Sequence, residues 1–578
     1  MTRAEFPGHP EMPAAGTAPA PEWSRAIELD RLRSSGRATV KIGTKQLALF
    51  LQDGTVHACN NRCPHEGYPL VEGALDEESC ILTCHWHNWK FDLRTGGNHY
   101  GGDSLRIYPA KVDAAGVVWV DASDPPAEAR VRQALEQLDE AMADHDAPRI
   151  ARELARLDRA GAGPEVAVAR AVARSHERLR YGMTHAWAGA EVWLRLRDSL
   201  ADPIERLACG AEALSHIAYD TLREPVFPFA PAQPLRRWNA PGFLAAVEAQ
   251  DEAVAVSLVL GALDEGLGFA DLEPTLAAAA LAHYNDFGHA LIYLTHLGGL
   301  AARLGRDAEA PLLRGWLRML VHSTREDLLP DFRHYAPALG QWPRAPAEPS
   351  RNGVAPSDGR PRDDVARVEP GGRAAVDVAG FVGRSVRNTL AATVAAAADR
   401  SPLELHEALM QAAALHLLRF DETIERRTDN PVGENINWLD FSHALTFGHA
   451  VRVQCTREPA LWPQGLMQMA LFAGRNTPYL TADDPVLPAQ RRGAVADADA
   501  FDEECRARVL DHGLAQYIFP VHLLKTWIAV RDEIALGVAD DTARVMRAAV
   551  RRLFDARFKQ RHLLRTARQA ASFVARED

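Results

Sequence analysis

At 578 residues the chain is too long for a single hydrophobic core and is expected to divide into two to four domains. Its composition, 47% hydrophobic and 25% charged, is that of an ordinary water-soluble protein, and a net charge of −12 argues against nucleic acid and anionic membrane surfaces as partners. No basic-then-apolar leader opens the sequence and no uncharged run approaches ~20 residues, so a soluble cytoplasmic protein without a membrane span is expected.

Residues 1–21, rich in Pro, Ala and Gly, read as a disordered tail. From 22 to 124 the pattern changes to short strands (ATVKIG, LALFLQ, TVHACN, ILTCH, VVWVDA) separated by Gly and Asp turns, which predicts a small all-β domain. Inside it lie Cys63-Pro64-His65 and, after an 18-residue spacer, Cys84-His85-Trp86-His87. Each loop offers one thiolate and one imidazole. That is the donor set of a [2Fe–2S] cluster in which one iron takes two cysteines and the other two histidines. Cys2His2 also suits tetrahedral zinc, but the flanking residues decide for the cluster. Glu66-Gly67 shapes the first loop, and Trp89, Phe91-Asp92 and Thr95-Gly96 follow the second ligand pair. The run resembles the cluster loops of Rieske ferredoxins and of the Rieske domains of ring-hydroxylating oxygenases. That family usually has Gly where this chain has Asn88, the non-Gly residue best suited to a positive φ. The spacer is slightly long for the family, with Asp76-Glu77-Glu78 as the extra turn. The remaining cysteines (Cys59, Cys80, Cys209, Cys455, Cys505) read as buried free thiols of a reducing compartment.

After Pro126 apolar residues recur at three and four, and strand-like alternation stops. Residues 125–180 are expected to be a helical linker and 181–578 an all-helical domain. A Pro/Gly/Ser/Arg-rich insertion, 342–374, should form a mobile surface loop. The fold class is therefore multidomain α+β, a small all-β domain ahead of a large all-α one. Rieske oxygenases of the standard kind hold a mononuclear iron in a sheet-rich domain through an Asp-x-x-His-x4-His pattern. Asp286-Phe287-Gly288-His289 and Asp440-Phe441-Ser442-His443 each have the first half, but the following histidines, His296 and His449, are wrongly spaced. HYNDFGHA (283–290) and HALTFGHA (443–450) share a pattern that fits either paired inward-facing helices or chance.

Only six lysines stand against 59 arginines, and Lys525 lies in an apolar helical segment three residues after His522, on the same face. A lysine there can shed its proton and act as an amine, which arginine cannot. YGMTHAW (181–187), FGHALIYLTHLGGLA (287–301), NWLDFSHALTFGHAVR (437–452) and VHLLKTWIA (521–529) resemble the questin oxidase-like proteins, whose non-haem iron is held by histidines and a carboxylated lysine. The resemblance implies His185, His289, His443, His522 and carboxylated Lys525 as ligands. His283, His449, His216 and His296 are the substitutes if the register slips, and Asp286 and Asp440 are acceptors that would orient His289 and His443, or else helix caps.

Together these features lead to the expectation of an iron-dependent mono- or dioxygenase. Electrons from NAD(P)H would pass through a ferredoxin or flavin reductase to the [2Fe–2S] cluster and then to a mononuclear Fe(II). The co-substrate would be O2, and the substrate a small organic molecule, apolar and aromatic or quinone-like. Transfer within one chain and transfer between chains of a homo-oligomer both remain open. The alternatives are an electron-transfer protein whose helices dock a partner, a redox-sensing scaffold, and a carboxylate-rich di-iron site on residues 404–425.

Overall fold

The computed structural model describes residues 21–221, 225–343, 377–426, 436–481, 494–557 and 563–575. The expected tail and the expected insertion fall almost wholly outside them. The described residues of Met1–Ala171, Leu196–Arg223 and His562–Asp578 form one compact unit, and those of Val172–Arg195 and Glu224–Arg561 form another.

The first unit opens with the all-β domain. Its strands are β1 (Trp23–Glu28), β2 (Arg37–Ile42), β3 (Lys45–Gln52), β4 (Thr55–Asn60), β5 (Ala74–Asp76), β6 (Ile81–Thr83), β7 (Lys90–Asp92), β8 (Ile107–Tyr108), β9 (Ala110–Val112) and β10 (Val117–Asp121). They form three antiparallel sheets in the orders β1-β10-β9, β2-β3-β4-β8 and β5-β6-β7. Asp53-Gly54 closes the β3–β4 hairpin with both residues at positive φ, the conformation that a tight two-residue turn requires. The unbroken apolar run of β3 follows from its place between two cores. Leu47 and Leu49 join Val118 and Val120 on one face, while Ala48 and Phe50 join Leu70, Leu82 and Phe91 on the other.

The rest of this unit is helical. In the helix Ala147–Arg159, capped by the Asp146 carboxylate on the Arg149 N–H, Arg152 and Arg156 reach a fully buried Asp103. Nε of Arg152 and Nη1 of Arg156 lie 3.1 and 2.8 Å from Asp103 Oδ1. Both guanidiniums hold that carboxyl below the usual range despite its burial, which acts in the opposite direction.

The second unit is built of helices. Its spacing predicts one helix over 273–304; the structure has two, Phe269–Ala280 and His289–Leu304, parted by an irregular stretch that ends in a left-handed turn at Asp286–Gly288. The helix Ile518–Ala535 carries Pro520 in its first turn, where a missing N–H is no loss. Among the described residues no helix is long and apolar enough to cross a membrane.

Candidate metal centres

The first loop leaves β4 and the second joins β6 to β7, and the two share one backbone pattern. Cys63 N–H donates to the Tyr68 carbonyl (2.9 Å) and the Cys63 carbonyl accepts from Gly67 N–H (2.8 Å). In the same way Cys84 N–H donates to Trp89 (2.8 Å) and the Cys84 carbonyl accepts from Asn88 N–H (2.9 Å). The pattern needs a left-handed residue four places after each cysteine, and Gly67 (φ 79) and Asn88 (φ 61) supply it. The extra residues of the spacer form the β5–β6 turn, pinned by the Asp76 carboxylate on Glu78 N–H and the Ser79 hydroxyl.

Cys63 and Cys84 are buried with their thiols side by side, and burial, reinforced by the neighbouring sulfur, pushes Cys63 up to about 12. His65 and His87 bring their Nδ1 atoms to 3.1 Å. A metal ion holding imidazole nitrogens at about 2.1 Å leaves adjacent donors roughly 3 Å apart, so this spacing fits two ligands of one iron. Trp89 stacks on His65 at 4.5 Å, while His87 and Trp86 lie in the open.

In the second unit four imidazoles meet, each from a different helix. His185 and His289 are the first residues of His185–Asp198 and His289–Leu304; His443 lies in Trp438–Arg457, and His522 in Ile518–Ala535. Nε2 of His289 lies 3.2 Å from Nε2 of His185, and Nε2 of His522 lies 3.0 Å from Nε2 of His443. One nitrogen each from His185, His289 and His443 falls within a 4.8 Å span, and the His185 and His522 rings are 4.4 Å apart. These edges again match the shell of a first-row metal ion.

The far nitrogens are fixed by acceptors. His289 Nδ1–H donates to the Asp286 carbonyl, and His522 Nδ1–H to the Ile518 carbonyl at 2.7 Å. A carbonyl only accepts, so Nδ1 carries the proton and the Nε2 lone pair turns inward. His185 Nδ1 meets the Tyr293 hydroxyl at 2.9 Å. Burial lowers the pKa values of His185, His289 and His443 and so favours their neutral forms; the helix N-termini under His185 and His289 act in the same direction.

Lys525, one turn beyond His522, is 1% exposed and its Nζ has no hydrogen-bond partner among the described residues. Burial alone brings it down to about 7. An amine beside four converging lone pairs is a donor set that could hold a first-row metal ion.

Comparison with known proteins bears on the first of the two centres. The model of the Rieske [2Fe-2S] domain matches residues 22–103. Over 98 residues the chain is 33% identical to the ferredoxin component of an alkene monooxygenase system from Xanthobacter autotrophicus, covering 17% of this chain and 80% of that protein. The chain belongs to the Rieske [2Fe–2S] family. A 4beta-methylsterol monooxygenase from Methylococcus capsulatus is 32% identical over 112 residues, 17% of this chain and 30% of the relative. The solved ferredoxin of carbazole 1,9a-dioxygenase from Nocardioides aromaticivorans IC177 aligns at 24% identity with a TM-score of 0.17, covering 18% of this chain and 98% of its own. The chain thus spans under a third of the sterol monooxygenase, and each match covers less than a fifth of this chain.

Outside the Rieske domain, the substitute histidines lie elsewhere. His283 pairs with Glu248 (2.6 Å), His296 with Glu191 (2.9 Å), His449 with Glu533 (2.7 Å), and His216 lies 3.7 Å from Asp220. Asp286 orients His289 through its backbone carbonyl, its carboxylate standing off at 3.8 Å. Asp440 takes the capping role instead: it accepts from Asn437 N–H (3.0 Å) and pairs with Arg475 (3.3 Å). Sequence reasoning missed Tyr293, although it stands one turn after His289 on the same helix face. Of the two likenesses in the sequence, the cage histidines share the one around Asp-Phe-x-His. His289 corresponds to His443 through Asp-Phe-Gly-His-Ala-Leu (286–291) and Asp-Phe-Ser-His-Ala-Leu (440–445). Gly288 permits a left-handed turn before its helix, whereas Ser442 lies inside one.

Proposed function

We propose that the chain is a Rieske-type non-haem iron oxygenase, with the cluster at Cys63, His65, Cys84 and His87 and a single Fe(II) held by His185, His289, His443, His522 and a carboxylated Lys525. The reading rests on one observation, four inward-facing imidazole nitrogens beside a buried amine without a partner. Four neutral imidazoles suit Fe(II), and one carbamate oxygen would add a single negative charge. Carbon dioxide adds to a neutral amine with loss of one proton, and burial of Lys525 favours the neutral form. The resemblance to the questin oxidase-like proteins at 181–187, 287–301, 437–452 and 521–529 supports the same ligand set.

A ferrous ion there would supply one-electron redox chemistry and an exchangeable position for O2. The residues of the chain do the rest. Asp286 and Ile518 carbonyls lock two imidazoles in the donating tautomer, and the Tyr293 hydroxyl fixes a third. Apolar walls keep bulk water from Lys525 and His522, each 1% exposed. The cluster is the electron store, filled by a ferredoxin or flavin reductase that draws on NAD(P)H. That the relatives belong to oxygenase systems supports an oxidoreductase role. The substrate is an apolar organic molecule, aromatic or quinone-like, that is hydroxylated or cleaved.

Anaerobic purification followed by iron analysis tests the proposal. About three irons per chain, with reductant-dependent O2 uptake, is the expected outcome; two irons and no uptake with any reductant would overturn it.

A further inference from the structure

Three successive residues ahead of His289 adopt left-handed backbone: Asp286 (φ 40), Phe287 (φ 50) and Gly288 (φ 74). Glycine takes this region freely and aspartate tolerates it, but a phenylalanine is held there against its own preference. The surroundings hold it. Glu326 Oε2 accepts from Phe287 N–H at 3.4 Å, and the Arg475 guanidinium lies 4.0 Å over the Phe287 ring, itself tied to Asp440. Gly288 is seated so tightly on Phe447 that a Cβ would come within 2.3 Å of its ring.

Exposure shows which way the cage opens. His522 and Lys525 are 1% exposed, His443 6% and His289 7%, whereas His185 is half-buried and the Asp286 side chain is 41% exposed. Solvent therefore approaches from the Asp286 and His185 side. Phe287 follows Asp286 on that side, partly exposed, its back on Arg475 and its ring 6.4 Å from the His443 ring at an interplanar angle of 27°. The same turn thus orients His289 through its carbonyl at Asp286 and sets the Phe287 ring beside His443.

We infer that Phe287 is the specificity-determining residue of the cage, the wall that sets the width of the approach and admits small ligands while turning away bulkier ones. The inference rests on the reading of the cage as an iron site, and its test separates the two. The full-length protein, loaded anaerobically with Fe(II), is exposed to nitric oxide as a reporter of the open position, and imidazole and 4-phenylimidazole then compete for it. In the parent protein 4-phenylimidazole competes worse than imidazole. Phe287→Ala should reduce that difference by about tenfold, the range over which one pocket side chain discriminates, and Phe287→Leu by less. The nitrosyl EPR signal of Phe287→Ala and Phe287→Leu before competitor is added shows that the turn and the cage still form in both. A nitrosyl EPR signal whose displacement by both competitors is unchanged, or changes equally, in Phe287→Ala overturns the role of Phe287 and leaves the iron site standing. No nitrosyl signal in any of these proteins removes both.

Discussion

The two candidate metal centres are built on opposite plans. The cluster ligands lie between Cys63 and His87, in two loops with one backbone pattern, and their histidine edge faces solvent beside Trp86, 55% exposed. The cage ligands run from His185 to Lys525, arrive from four helices and point inward, with Lys525 and His522 1% exposed. A group that exchanges electrons with a partner must present an edge, whereas one that handles O2 gains from a dry, preorganised pocket. On the proposed function, the difference in construction follows the difference in task.

If the plans are independent, each can be broken without the other. The largest effect belongs to Cys84→Ser, which should abolish the cluster's visible absorbance and EPR signal, lower iron from about three to about one per chain, and leave the cage iron in place. Lys525→Met should do the converse: cluster spectra unchanged, the third iron lost, and Tm below that of the iron-loaded parent but equal to or above that of the iron-free parent, because a buried amine has been replaced by an apolar chain of similar length. Metal analysis with calorimetry checks both. Loss of the cage iron in Cys84→Ser would show that the two centres are coupled.

Much of the first plan was legible from sequence, because a local ligand set carries its own geometry. The family's usual Gly at the position of Asn88 implies a positive φ there, and a spacer longer than the family's makes Asp76-Glu77-Glu78 a turn; both are found. The second plan was legible only in part. Lys525 stood out because it is rare in so arginine-rich a chain, and family resemblance suggested its companions. Periodicity, however, ran the helix of His289 straight through the left-handed turn at Asp286–Gly288. No local rule places a phenylalanine at positive φ; tertiary contacts from Glu326, Arg475 and Phe447 do so. Asp286 and Asp440 looked equivalent in sequence, yet Gly288 against Ser442 sends one into a turn and the other into a helix cap.

Acid should sharpen the contrast between the units. In the helical unit His416 is buried, its Nε2 accepts from Gly383 N–H at 3.1 Å, and burial, with Arg419 nearby, lowers its pKa to about 3. The folded pKa lies below the unfolded value of about 6.5, so the stabilisation is full above pH ~6.5 and is lost as pH falls toward 3, at about 1.4 kcal/mol per unit. His416→Gln, which keeps an acceptor but does not titrate, should flatten that limb in scans between pH 6.5 and 4.5. Asp103 of the other unit, with its pKa lowered, gives up stability only below the ordinary carboxylate range near pH 4. The smallest effect is expected at Asn88. Asn88→Gly should gain no more than about 1 kcal/mol and Asn88→Ala should lose a similar amount, both read by thermal melts with cluster absorbance intact.

An anomalous difference map at the iron edge, from crystals grown without chelator, tests the central claim most directly. The account predicts density for the two cluster irons at Cys63, His65, Cys84 and His87, and one further peak enclosed by the Nε2 atoms of His185, His289, His443 and His522 with Lys525 beside it. Cluster density alone, or a third iron bound to other residues, would contradict it.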